Sequence, residues 1–88
     1  MMEKKFIINN RHGLHARPAA QLVKIASRYK CDIRLSKDEM EINAKSIMGV
    51  MMLAAEVGSE ITVRAEGEDE EQAIEALGDL IENSFGED

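Results

Sequence analysis

Apolar and polar residues alternate over four short stretches of the chain, and between them apolar residues recur at helical spacing. Residues 4–8 (KKFII) set Phe6 and Ile8 on one side. Ile33 and Leu35 do the same in 31–37, Met40 and Ile42 in 39–43, and Ile61, Val63 and Ala65 in 60–66. A period of two with one apolar side is the pattern of a half-buried strand. Between the first two runs, Ala19, Leu22, Val23 and Ala26 fall at i, i+3, i+4 and i+7, which predicts an amphipathic helix. Pro18 is tolerated only in a first helical turn, so this helix begins near residue 16 and leaves His15 at or beside its N-cap.

The segment KSIMGVMMLAAEVG, between the third and fourth strands, predicts a short and almost wholly apolar helix, with Ser46 as N-cap and Gly58 as terminator. After the last strand, Asp69 and Gln72 form a loose capping-box variant ahead of Ala73, Ile74, Leu77, Leu80 and Ile81. The acidic residues 68–71 crowd the positive end of that helix, where each is favourable by a few tenths of a kcal/mol. The order is β-α-β-β-α-β-α. One-sided strands joined through one-sided helices predict an α+β sandwich, an antiparallel sheet covered on one face by helices. Such an arrangement hosts many functions, so the order alone assigns none.

Composition narrows the choice. The 88 residues make one domain's worth of chain, with no linker, repeat or low-complexity tract to divide 1–88. Seventeen acidic against eleven basic residues give a net charge of -6, which disfavours nucleic acid and anionic lipid as partners. The single cysteine, Cys31, has no internal disulfide partner and is expected to be an inert packing thiol. No apolar run is long enough to span a bilayer, and no signal-type segment is visible. A soluble cytoplasmic protein is expected.

The chemistry concentrates in HGLHARPAA, residues 12–20. A histidine ahead of a helix meets backbone N–H groups without intrahelical partners and the positive end of the helix dipole, which together welcome an anion. Arg17 adds a guanidinium that can fork onto phosphate oxygens. Neutral imidazole, with a bare ring nitrogen, is abundant near pH 7 and needs no partner base. His15 can therefore be a phosphoryl acceptor in a small phosphate cradle. The plainer alternative makes His15 an exposed capping residue and Arg17 a solvated one. A metal site on His12 and His15 has too few ligands, with no Cys or carboxylate cluster nearby. No carboxylate pair or basic-aromatic face supports an enzyme or nucleic-acid reader.

GLHARPAA (13–20) together with KSIMGVMMLAA (45–55) resembles the HPr family, the histidine-containing phosphocarriers of the bacterial phosphoenolpyruvate-dependent phosphotransferase system. The resemblance spans nearly the whole chain. It implies an open-faced sandwich of four antiparallel strands and three helices. It also implies a stoichiometric carrier rather than an enzyme, without cofactor or metal, which takes a phosphoryl group from Enzyme I and passes it to Enzyme IIA components. By residue match, His15 would carry the group on Nδ1 and Arg17 would assist. His12 stands where many members have a small polar residue that helps hold the phosphate; here it would supply a donor or face solvent.

Ser46 has two readings. As an N-cap its hydroxyl accepts from a backbone N–H, and the resemblance makes KSIMGV a site for a regulatory kinase/phosphorylase. The protein could then act mainly as a regulatory binding module governed by Ser46. Ile47, Met48, Met51, Met52 and Leu53 are too many apolar side chains for one buried face, so some must reach the surface. In the family, positions matching Ile47, Met48 and Met51, with Leu14 and Ala20, form a partner-docking surface. A monomer is expected, because successive partners use one face. Whether the receiving branch is sugar uptake or nitrogen-related regulation stays open.

Overall fold

The computed structural model describes residues 1–87. Strands β1 (Met2–Ile7), β2 (Asp32–Lys37), β3 (Met40–Asn43) and β4 (Glu60–Glu66) form one sheet in the order β1-β4-β2-β3. Every neighbouring pair is antiparallel, with Phe6 opposite Ile61, Leu35 opposite Val63 and Leu35 opposite Ile42. Helices α1 (Ala16–Ala26), α2 (Ile47–Leu53) and α3 (Glu70–Glu82) complete the β-α-β-β-α-β-α order, and a 3-10 turn follows at Ser84–Gly86. The open-faced α+β sandwich is the predicted one.

One apolar stripe from each element closes the core. Phe6, Ile33, Leu35, Ile61, Val63 and Ala65 from the strands are buried against Ala19, Leu22 and Ala26 of α1, and Ala73, Ile74, Leu77 and Ile81 of α3. Residues on the other face of the strands, such as Glu3, Lys5 and Glu60, are exposed. Gly78 lets α3 sit directly on Phe6: a Cβ there would come within 2.8 Å of the ring.

Several local expectations are corrected. β1 starts at Met2 rather than residue 4 and ends at Ile7, although Ile8 is fully buried and still bonds through its backbone to Ser59 and Gly58. Met40 is exposed and Ile42 only half-buried, because β3 is an edge strand with a single neighbour. The helix after Ser46 is ended by Ala54, in left-handed conformation (φ 52°), and not by Gly58. Asp69 does not cap α3 with its side chain. Its carboxylate crosses to the start of β2 and accepts from the amides of Lys30 (2.8 Å) and Cys31 (2.9 Å). Glu70 instead reaches back to the Gly67 amide at 3.0 Å, so Gln72 has no part in a capping box.

Candidate functional site

The loop 8–15 carries the chain from β1 into α1. It turns at Gly13, whose φ of +65° suits glycine, and a Cβ there would collide with the carbonyl oxygen of Ala55. The Leu14 amide donates to that same carbonyl at 2.9 Å, fixing the loop against the segment after α2. Leu14 fills the core at 4 % exposure. This corrects its assignment to a docking surface: its side chain anchors the loop and offers little to a partner.

His15 is the N-cap of α1, with extended backbone and no side-chain bond to the helix. Its carbonyl accepts from Ala19, so the Ala16 and Arg17 amides lie in a first turn without intrahelical acceptors, and Pro18 has no N–H to satisfy. The ring is 41 % exposed. Its Nε2 lies 3.1 and 3.2 Å from the two carboxylate oxygens of Glu87, whereas Nδ1 has no partner among the described residues. The His12 ring meets it edge to face, 5.8 Å between centroids. Among the described residues no group of three His, Cys, Asp or Glu side chains gathers as a metal site.

Glu87 is held from a second side. Asn10 is fully buried, and its Nδ2 donates to Glu87 Oε1 at 3.0 Å and to the Gly13 carbonyl at 2.7 Å. Both partners are acceptors, which sets the orientation of the amide. Burial alone would raise the Glu87 carboxyl, but the bonds from Asn10 and His15 and the charges of His15 and Arg17 bring it below the usual glutamate value. Arg11, His12, Arg17, Gly86 and Glu87 line a recess of about 420 Å³. Two guanidinium groups thus share the recess with Glu87, and among the described residues neither Arg11 nor Arg17 is in an ion pair. An anion entering this recess would meet the positive charge of both side chains.

Glu87 lies between the predicted residues: its carboxylate touches His15 and shares the recess with Arg17, while His12 meets the His15 ring. Ser46 caps α2, its Oγ accepting from the Gly49 amide at 3.1 Å. Of the five apolar residues of α2, too many for one buried face, Ile47, Met48, Met51 and Met52 are exposed, Met48 at 71 %, and Leu53 is buried, as is Val50. Ala20 is exposed on α1. Asn10 and Glu87 are the residues that sequence reasoning missed. Asn10 is a polar residue in the turn between buried Ile8 and Gly13, a weak signal, and Glu87 has no local signal at all.

Comparison with known proteins gives one consistent answer. A family model described as the PTS HPr component phosphorylation site matches residues 2–83. The chain is 51 % identical over 88 residues to the phosphocarrier protein HPr of Xylella fastidiosa (strain 9a5c), covering all of this chain and 99 % of that one. The crystal structure of HPr-C-His from Thermoanaerobacter tengcongensis superposes with a TM-score of 0.97 at 51 % identity, covering 100 % of this chain and 99 % of that one. A crystal structure of an HPr dimer from the same organism gives 0.80 at 52 % identity, covering 99 % and 100 %.

Proposed function

The chain belongs to the HPr family of phosphotransferase-system phosphocarriers, and on that premise we propose that His15 accepts a phosphoryl group from phospho-Enzyme I and passes it to Enzyme IIA components. The observation that carries this reading is the N-cap placement of His15, its Nδ1 without a partner among the described residues, at a helix start whose first amides lack intrahelical acceptors and which carries Arg17 two residues on. Phosphoryl transfer asks chiefly for positioning and charge stabilisation. The Nδ1 lone pair attacks phosphorus in line with the donor bond, and Arg17 and the amides stabilise the charge on the equatorial oxygens. The protein is then a stoichiometric relay, and catalysis of each transfer resides in its partners.

Partners would dock on Ala20, Ile47, Met48 and Met51, exposed side chains of α1 and α2, two helices that pack against each other. Methionine adapts to differently shaped surfaces, which suits a carrier that must fit a donor and several acceptors in turn. A cytoplasmic monomer fits this role. The dimeric relative makes the oligomeric state a matter for measurement, by light scattering.

Incubation with Enzyme I and phosphoenolpyruvate tests the reading. One acid-labile phosphoryl group should be added, and His15→Ala should abolish it. An unmodified mass, or labelling that persists in His15→Ala, would refute it.

A second role is favoured by the geometry of Ser46. Its Oγ uses only a lone pair to cap α2, so replacing its proton by a phosphoryl group keeps an acceptor at the helix start. We propose that an HPr kinase/phosphorylase modifies Ser46 to regulate partner binding. A chain that such a kinase and ATP leave unmodified would remove this role without touching the first.

A further inference from the structure

A carboxylate beside a site for a dianion calls for a reason. Glu87 repels an incoming phosphoryl group, and yet it is held against the ring that must receive it. We propose that Asn10, Glu87 and His15 form an orienting relay in which Glu87 is a positioning residue: it keeps the proton of His15 on Nε2 and presents Nδ1 bare to phosphorus. This rests on the reading of His15 as phosphoryl acceptor.

The placement is built from both ends. Phe85 is buried at 2 % exposure, Ser84 Oγ donates to Asn9 Oδ1 at 2.9 Å, and Gly86 turns at φ +73°, delivering Glu87 over the ring. From below, Asn10 fixes Oε1 and ties it through the Gly13 carbonyl to the very loop that carries His15. Which imidazole nitrogen bears the proton follows from the bond the other one makes. A carboxylate can only accept, so the nitrogen facing it must be N–H, and in the neutral ring the lone pair is then on Nδ1.

Chemistry gives Glu87 a second task. When Nδ1 donates its electron pair to phosphorus, an N–P bond forms and the donor's bond to phosphorus breaks, its electrons leaving with the donor. The proton on Nε2 stays, so the ring becomes a phosphorylated imidazolium. The carboxylate 3.1 Å away offsets that new positive charge, as a buried aspartate does for the histidine of a Ser-His-Asp triad. Arg11 and Arg17, on the recess, balance the carboxylate against the phosphoryl oxygens.

The test begins with no partner protein. Nitrogen-15 NMR of the His15 ring at neutral pH should place the proton on Nε2, with slow exchange that is lost in Glu87→Ala. A proton on Nδ1, or a ring indistinguishable between the two proteins, overturns the relay. Phosphoramidate then serves as donor, losing ammonia as the N–P bond to His15 forms. Wild type should give only the Nδ1 product. Glu87→Ala should react on the order of tenfold more slowly, the size of one lost hydrogen bond to a charged group, and form some Nε2 product. Glu87→Gln, whose Oε1 still accepts, should recover part of the rate. Equal rates with Nδ1 product alone in all three proteins would refute the proposal. Failure of Enzyme I to phosphorylate a wild-type ring that does carry its proton on Nε2 would instead refute the carrier reading while supporting the orienting contact.

Discussion

The amide of Leu14 and the carbonyl of Ala55 meet at 2.9 Å, joining the loop in front of α1 to the segment behind α2. Through this one bond the histidine and the end of the helix capped by Ser46 share a frame. Gly13 makes the approach possible.

Gly13→Ala should therefore damage both stability and the site. Its φ of +65° strains any side chain, and the added carbon would strike Ala55. The expected loss is about 1–3 kcal/mol, with slower phosphorylation of His15 as the loop shifts. Urea unfolding and Enzyme I-dependent labelling measure the two effects, and wild-type values in both would show that the loop is not set by this contact.

Ser46 separates a structural from an electrostatic effect. Ser46→Ala removes the bond from Gly49 and should cost about 1 kcal/mol while leaving His15 labelling near wild type. Ser46→Asp keeps an acceptor at the N-cap but brings negative charge beside the surface proposed above to receive a phosphorylated partner. His15 labelling should then slow several-fold. Equal rates in wild type and Ser46→Asp would disprove the coupling.

Asp69 predicts acid sensitivity with a definite sign. The Lys30 amide, outweighing burial, and then Cys31 hold its carboxyl below the ordinary 3.8. Glu70, bonded by the Gly67 amide, lies below 4.5. For a group whose folded value is depressed, stabilisation is complete above the unfolded value and disappears as pH falls through the folded one. Thermal unfolding should thus show a constant contribution from these carboxylates above about pH 5 and a loss beginning below about pH 4.5. Asp69→Asn should lower Tm at neutral pH by a few degrees, and its deficit should shrink as acid protonates the wild-type carboxylate. A deficit that is independent of pH would contradict this assignment.

Cys31 should be masked. Burial, then the hydrogen bond and charge of Asp69, push its thiol up to about 11, and it is 3 % exposed. Against the ordinary thiol value of 9.0, the thiolate fraction at neutral pH falls by on the order of a hundredfold. Labelling by a disulfide reagent should be slow in the native protein and fast in urea. Rapid native labelling would show that β2 opens at its start.

The strands and helices were legible because each buries one face, and the period of the apolar residues reports that face directly. β3 was the weakest case, since Met40 alternates correctly and is exposed all the same on an edge with one neighbour. Helix ends were misread wherever the partner was distant in sequence: Asp69 looks like a cap for the residues after it but serves amides 38 and 39 positions away. Gly58 was the visible helix stop, whereas Ala54 takes the left-handed conformation despite its side chain. The site divides in the same way. His15 and Arg17 lie two residues apart on a helix start that Pro18 announces, so local rules find them. Glu87 lies 72 residues from His15 and 77 from Asn10, and only the closed fold brings them together.

The strand order has a consequence for how the chain reaches this state. β1 hydrogen-bonds only to β4, and β4 is also the bridge to β2. A nascent chain that has not yet made residue 60 holds β1 with no neighbour and a β2–β3 hairpin with its inner edge bare. Contacts so remote in sequence slow the ordering of a small domain. Synthesis must run past β4 before β1 and the β2–β3 hairpin can join into one sheet, so closure of the fold waits for that strand.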